Sequence, residues 1–414
     1  MRPDLLPNPL LRAIATALLA TVPACASPPA QAAPSSAQYL YLWTASADTT
    51  APDFLAVLDV TESADRYGEL VATLPVPGRH NIPHHTEHEM PADRRLFANG
   101  FGTGQSFIFD LTDPTRPRIA RQFGDLAGFT DPHSFLRLPN GNVLATFQMT
   151  HSALGMRPGG LVELTPEGSV RRSASANQPG IDSGTRVYSA GVIPRLDRIV
   201  TTTTDMLEDF PASNQLQIWR LSDLRLQHTI TLPPGPRGDE NRLTAEPRVL
   251  RDGRTVLVST FNCGLYLLDG LDGPRPSGRL VASFPMKAGT HCAIPVVVGS
   301  FYLVTVPAWS AVVSLDVSDP AHPREVGRAV LGPDDVPHWI AVAPDHRRVV
   351  VTGYGAMRHR VVLLRFDPQT GGLTVDDRFR EPGASVPGYV MTGKHWPHGS
   401  DAAGIPHGAV FSLP

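Results

Sequence analysis

Histidine recurs at one place in a series of short apolar segments of this chain. It stands at or near the start of five of them: His84-His85, His133, His291, His338 and His407. Glu246 and, approximately, Ser189 take the corresponding place in two further segments. The chain has 15 histidines in 414 residues, so composition alone does not explain their accumulation at one repeat position.

Several neutral imidazoles that converge on one point can hold copper, iron or zinc. The set includes no thiolate, and the chain has no CxxC motif, so a structural zinc site lacks support. The expected metal ligands are His84, His85, His133 and His407. His291 and His338 are expected either to bind the metal too or to orient the ligands and the substrate.

Two repeated elements surround these positions. One is an outer hairpin of two β-type runs, found seven times, and its best-matched copies are 107–118 and 313–324, where Asp-Pro sets a turn. The other is an apolar strand, a turn and another strand, as in 133–147 and 338–352. Together they make four strands per unit of roughly 45 to 55 residues, which is typical of a propeller blade. The sequence therefore predicts an all-β, seven-bladed β-propeller whose innermost strands bring the histidines into a ring.

The two ends of the chain predict how the propeller closes. Residues 405–412 repeat the innermost strand without a hairpin after it, whereas 39–44 and 54–60 lack an innermost partner. Pairing of these segments completes one blade and removes exposed sheet edges. We expect one domain over residues 37–414, closed by pairing of the N- and C-terminal strands.

Residues 1–36 are expected to be a signal peptide and linker. Basic residues precede an apolar stretch at 13–24, and an Ala-Gln-Ala sequence at 30–32 offers a cleavage site. The stretch is too short for a transmembrane segment. Cys25 lies in a segment that resembles a lipoprotein box, so lipidation is the alternative to cleavage. The mature protein is expected in the periplasm or outside the cell.

The net charge bears on binding to nucleic acid, and the cysteine content bears on disulfide formation. The formal net charge is −3, so no basic excess supports binding to nucleic acid. Beyond the signal segment only Cys263 and Cys292 remain, which permits one disulfide in an oxidising compartment. Whether these cysteines pair stays open, as does the oligomeric state.

The chain resembles the selenium-binding protein and methanethiol oxidase family at several of these positions. Residues 51–60 look like the early strand of that family. The segment 74–77 (Leu-Pro-Val-Pro) with His84 and His85 looks like its LPxP and paired-histidine segment. Residues 316–324 resemble its later D-[IV]-S-D-P turn.

This resemblance implies a copper-dependent oxidoreductase that converts methanethiol, with oxygen, to formaldehyde, hydrogen sulfide and hydrogen peroxide. The four expected ligands match histidines of the family by position. Glu246 falls where the family has a glutamate in an E-x-R context. The residue expected to take the thiol proton is Glu246 or an unligated histidine, His291 or His338. Three aromatic residues near the ring are expected to wall a small apolar pocket: Phe135, Tyr188 and Trp339.

The chain also departs from the family. It has 86–91 (Thr-Glu-His-Glu-Met-Pro) where a cysteine usually follows the paired histidines, so selenium binding stays open. Iron and zinc rank behind copper. Two other functions stay open as well: an iron-dependent oxygenase on a propeller, and a non-catalytic propeller that binds a partner or ligand through its loops.

Overall fold

The structure of this chain is a computed structural model, and it describes residues 37–152, 155–206, 213–353 and 359–414. These residues form β-strands, with two short 3₁₀ turns at Pro194–Leu196 and Pro307–Trp309 and no α-helix. The all-β prediction is thus confirmed. No helix in this part of the chain is long and apolar enough to cross a membrane. The expected signal peptide, with Cys25, lies outside the described residues.

Twenty-nine strands follow one another along the described residues. Those up to the middle of the chain are β1 (Tyr39–Ser46), β2 (Phe54–Asp59), β3 (Leu70–Pro75), β4 (Pro83–Thr86), β5 (Arg95–Gly100), β6 (Gln105–Asp110), β7 (Arg118–Phe123), β8 (Thr130–Arg137), β9 (Val143–Ser152), β10 (Gly155–Leu164), β11 (Val170–Ser175), β12 (Ala190–Ile193), β13 (Arg198–Thr202), β14 (Gln215–Arg220) and β15 (Leu226–Thr231). The remaining strands are β16 (Thr244–Val249), β17 (Val256–Thr260), β18 (Gly264–Asp269), β19 (Ser277–Ser283), β20 (Val296–Val298), β21 (Phe301–Val306), β22 (Ala311–Asp316), β23 (Arg324–Val330), β24 (Pro337–Val342), β25 (Arg348–Gly353), β26 (Arg360–Phe366), β27 (Leu373–Val375), β28 (Tyr389–Val390) and β29 (Gly404–Phe411).

These strands form seven antiparallel sheets among the described residues. Six sheets run in chain order from an inner to an outer strand, and we number them as blades 2 to 7: β4–β7, β8–β11, β12–β15, β16–β19, β20–β23 and β24–β27. In blade 7, β28 also pairs with β26. The seventh sheet, blade 1, has the order β29-β1-β2-β3. The prediction of a seven-bladed propeller is confirmed.

Blade 1 is built from both ends of the chain. β29 pairs antiparallel with β1, so that Leu40 lies opposite Phe411. Beyond this ladder, the Ser412 N–H donates to the Tyr39 carbonyl at 2.7 Å, and the Tyr39 N–H donates to Ser412 Oγ at 3.0 Å. The expected closure is therefore also confirmed.

Apolar side chains fill the spaces between successive blades. Between blades 2 and 3, for example, Phe97 and Ile108 pack with Phe147 and Val162, and all four are 0% exposed. Full burial of a side chain of this size contributes about 1.5–3 kcal/mol. Because sheets buried on both faces supply this stabilisation all round the ring, the fold does not rely on polar groups at its axis.

Side chains of the second strands link neighbouring inner strands. Asn99 of β5 accepts from the His85 N–H at 2.7 Å and donates to the carbonyl of Pro132 in the next blade at 3.0 Å. Threonines make the same kind of contact to a neighbouring inner segment: Thr146 to the carbonyl of Tyr188 (2.6 Å), Thr202 to that of Ala245 (2.7 Å) and Thr352 to that of His407 (2.6 Å). These bonds fix the backbone heights of adjacent inner strands along the axis.

Cys263 and Cys292 form a disulfide, which answers a point that the sequence left open. Cys263 directly precedes β18, and Cys292 lies in the segment that leads into β20. The bond therefore ties blade 5 to the entrance of blade 6.

Candidate metal centre

The inner strands are irregular where the predicted site residues lie. Pairing of β4 with β5 shifts register between Pro83 and Thr86, the stretch that holds His84 and His85. Similar shifts enclose His133 in β8, Glu246 in β16, His338 in β24 and His407 in β29. Such a bulge re-aims side chains. It lets the consecutive residues His84 and His85 contribute to one cluster, although neighbours in a regular strand point to opposite faces.

His84, His85 and His133 form the centre of the cluster. One ligand nitrogen from each residue lies within 4.8 Å of the other two. The His84 and His85 rings are stacked at 4.4 Å between centroids, and the His133 ring lies 4.9 Å from His84 and 4.3 Å from His85. Nitrogens that share one ion at about 2.1 Å lie up to about 4.2 Å apart. A shift of less than about 1 Å would therefore let these rings bind a common metal ion.

The remaining predicted histidines extend the cluster in one direction. The His407 ring lies 4.2 Å from His84, and 4.7 Å from the His338 ring. The His291 ring lies 5.8 Å from Phe261, and His291 is near enough to His338 to lower the pKa of that imidazole. His291 and His338 are partly exposed, whereas His407 is 0% exposed. The structure thus places His407 against His84, next to the group of three, and the partly exposed His338 against His407.

Burial keeps the central imidazoles neutral. It lowers the pKa of His133 to about 3. It also holds the pKa values of His84, His85 and His407 well below their ordinary value, and nearby imidazoles lower them further. A neutral imidazole has one nitrogen with a free lone pair. The cluster therefore offers lone pairs for a metal without the loss of a proton.

Ser134 orients two of the central rings. Its Oγ lies 3.2 Å from Nδ1 of His85 and 3.0 Å from Nδ1 of His133. A hydroxyl oxygen has two lone pairs and can accept from both Nδ1–H groups. Nε2 of His85 and Nε2 of His133 are buried without a hydrogen-bond partner in the protein, as is Nδ1 of His84. Buried nitrogens of this kind fit a metal ion, which would satisfy all three at once.

Glu246 lies in a polar network beside the cluster. Its side chain is 0% exposed, and its Oε2 accepts from Ser189 Oγ at 2.7 Å and from Arg248 Nη1 at 2.7 Å. Oε1 is buried without a partner in the protein. Burial raises the pKa of Glu246 in spite of the opposing charge of Arg248. This carboxylate is therefore a stronger base than an exposed glutamate.

Two of the three expected wall residues contact the cluster. The Tyr188 ring lies 3.9 Å from His133, and the Trp339 ring lies 5.0 Å from His85. Phe135 instead packs between blades 2 and 3, with its ring 5.4 Å from that of Phe97. The expectation for Phe135 was wrong because the bulge at 133–134 turns it towards the sheet interface. Phe101 takes its place, since its ring lies 5.3 Å from His84 and 5.6 Å from His133.

Besides Phe101, sequence reasoning missed three residues near the site, namely Ser134, His88 and Arg248. The Arg248 Nη2 donates to His88 Nε2 at 2.9 Å, and the His88 ring stacks on Trp339 at 4.7 Å. His88 does not share the repeat position of the other histidines, because it follows the end of β4. The E-x-R pattern of Glu246 and Arg248 was the one available signal for this network.

Fold and site together define a seven-bladed propeller with a buried histidine cluster at its inner strands. The chain is 26% identical to the methanethiol oxidase of Hyphomicrobium sp over 353 residues, which cover 76% of this chain and 75% of that protein. The resemblance to this family that the sequence indicated is thereby confirmed. No protein-family model matches the chain.

Solved structures agree with the fold. A hypothetical selenium-binding protein of Sulfolobus tokodaii has a TM-score of 0.70 at 18% identity, over 90% of this chain and 93% of that one. The periplasmic gluconolactonase of Pseudomonas aeruginosa has a TM-score of 0.61 at 16% identity, over 92% of this chain and 100% of that one. At such low identities these likenesses establish the shared architecture.

Replacement of Ser134 should weaken metal binding. In Ser134→Ala the rings of His85 and His133 lose the oxygen that orients them, and loss of such a partner typically costs about 10–100-fold in metal affinity. Competitive titration of the metal-free protein with a chelator measures this change. Ser106→Ala is the control, because Ser106 is a buried serine of β6 outside the cluster. Equal metal affinity in the two variants would contradict the role of Ser134.

Proposed function

We propose that this protein oxidises a small thiol, methanethiol or a close analogue, at a copper ion held by the histidine cluster. The observation that carries the proposal is the convergence of three buried, neutral imidazoles in a chain that is similar to a methanethiol oxidase. We infer that His84, His85, His133 and His407 are the ligands.

The donor set favours copper over other metals. Imidazole suits copper, iron and zinc, and copper forms the tightest complexes of the divalent first-row ions. When bound, copper would take a soft thiolate sulfur as a ligand and pass electrons from it to oxygen. The described cluster contains no cysteine or carboxylate ligand, which is the main argument against a structural zinc site.

The proposed reaction balances with water as the oxygen donor. Methanethiol, oxygen and water give formaldehyde, hydrogen sulfide and hydrogen peroxide. The carbon loses two electrons as its C–S bond and one C–H bond break and a C=O bond forms with the oxygen of water. Oxygen takes up these two electrons and two protons to become hydrogen peroxide.

Side chains of this protein would accept the thiol proton and transfer protons between the cluster and solvent. Glu246 would take the thiol proton, because burial raises its pKa and its Oε1 is not engaged by the protein. His338, which lies against His407 and is partly exposed, and His291 beyond it would pass protons between the cluster and solvent. Tyr188, Trp339 and Phe101 would exclude bulk water from the reacting sulfur.

Copper and activity should be lost together when a central ring is removed. In His133→Ala the cluster loses one of three converging nitrogens, so copper content and methanethiol oxidation should both fall by more than about tenfold. Unfolding of the metal-free protein should change little, because apolar sheet packing holds the fold. Elemental analysis, product assays and thermal unfolding measure the three quantities.

His322→Ala is the control for this experiment, because His322 is exposed in an outer turn and pairs with Asp319. If His133→Ala keeps the copper content and the methanethiol oxidation of the wild-type protein, the metal site lies elsewhere. Iron in place of copper in the wild-type protein would favour an oxygenase. A wild-type protein that takes up no metal when copper is supplied would favour a partner-binding propeller.

Glu246→Gln tests the proposed base. The amide oxygen can still accept from Ser189 and Arg248, but it cannot take a proton, so kcat should fall by about 10²–10⁴-fold while copper content is unchanged. Wild-type kcat/KM should fall as the pH drops through the raised pKa of Glu246. Glu240→Gln is the control, because Glu240 is a buried glutamate that binds backbone N–H groups of residues 237–239. Equal turnover in both variants would show that Glu246 is not the base.

We also propose that the mature protein works in the periplasm or outside the cell. The signal-like segment 1–36 supports this location, and so does the Cys263–Cys292 disulfide, since disulfides persist in oxidising compartments. Mass spectrometry of the native protein should show either a new N-terminus after Ala32 or a lipid on Cys25. An unprocessed chain with free thiols in the cytoplasm would contradict the proposal.

A further inference from the structure

The proposed metal ligands are closed off from solvent. His84, His85, His133 and His407 are between 0% and 4% exposed. A thiol of any size therefore needs a defined route to reach the cluster.

A chamber of about 310 Å³ lies between the inner strands of blades 3 to 7. Each of these five strands contributes at least one apolar side chain to its wall, among them Leu136, Val192, Val249, Val297 and Val342. Leu136 comes three residues after His133, and Val249 three residues after Glu246. At the rise of an extended strand, the chamber lies about 10 Å along the axis from the cluster.

A thin layer of side chains separates the chamber from the cluster. His88 and Arg248 line the chamber, and both are connected to the cluster. The His88 ring stacks on Trp339 at 4.7 Å, and Trp339 in turn lies 5.0 Å from the His85 ring. Arg248 joins this layer to Glu246 and to His88 by hydrogen bonds of 2.7 and 2.9 Å.

The chamber also adjoins a second cavity. A cleft of about 700 Å³ shares His88, Glu89, Leu136 and Arg137 with the chamber. Arg137 is held in place by Glu87 at 2.7 Å and Asp93 at 3.1 Å, so the wall between the two cavities is fixed by ion pairs. The cleft would serve as the outer vestibule of the chamber.

We infer that the valine-lined chamber binds the small neutral thiol before it reaches the cluster, and that the layer of His88 and Arg248 limits the size of the thiol that passes. This inference rests on the proposed function. The apolar side chains of the wall favour a neutral thiol over its thiolate, since burial of an unpaired charge is costly. The charges of Arg137 and Arg248, which also line the chamber, are already paired with Glu87 and Glu246. Beyond Arg248 the thiol would meet Glu246, the proposed base, which lies 2.7 Å from Arg248 Nη1.

Val342→Trp tests the route, because an indole in place of Val342 fills much of the chamber. We expect kcat/KM for methanethiol to fall by at least about tenfold with unchanged copper content. Association of methyl isocyanide, a small neutral ligand of reduced copper, should slow by a similar factor when followed by infrared absorption. Val330→Trp is the control, because it makes the same change at an exposed valine of the outer strand β23.

Val342→Cys covers the case in which the tryptophan variant does not fold. The rates of methanethiol oxidation and of methyl isocyanide association are measured before and after modification of the cysteine by a bulky methanethiosulfonate. Both measurements use the same folded, metal-loaded sample. Val330→Cys is treated in parallel as the control. Slower methyl isocyanide association after modification at residue 342 alone supports the route, even if methanethiol is not oxidised and the proposed function fails. If modification at residue 342 and at residue 330 leaves the same rate of methyl isocyanide association, the proposed route is overturned. Entry beside the partly exposed His291 and His338 would then be favoured.

Discussion

The site depends on the closure of the ring of blades. Once β29 pairs with β1, all seven inner strands surround one axis, and a residue type repeated in sequence becomes a cluster in space. Asn99, Thr146, Thr202 and Thr352 then fix the relative heights of neighbouring inner strands through hydrogen bonds. Without this alignment, His133 and His407, which are 274 residues apart in the sequence, would have no reason to meet.

Local irregularity converts this alignment into a site. The bulges at 84–85 and 133–134 place two consecutive histidines in one cluster and set Ser134 between Nδ1 of His85 and Nδ1 of His133. Burial by Tyr188 and Trp339 then keeps the rings neutral. Since polar groups buried without partners are costly in free energy, the unsatisfied ring nitrogens make sense as part of a site that binds a ligand.

The sequence predicted what repetition encodes. Strand alternation and the Asp-Pro turns predicted the hairpins, and the unmatched segment 405–412 predicted the closure, because both follow from local patterns. It did not predict the bulges, which depend on pairing with the second strand, so it placed Phe135 in the wall and overlooked Phe101. It also overlooked His88, whose contact with Arg248 joins residues 160 positions apart and leaves no local signal.

The position of a bound ion tests this interpretation most directly. Crystals of protein produced with copper would be measured on both sides of the copper absorption edge. We expect one strong anomalous peak at about 2 Å from Nε2 of His85 and Nε2 of His133, with His84 and His407 completing the coordination. A peak at another place, or a cluster that stays free of metal while copper is present, would contradict it.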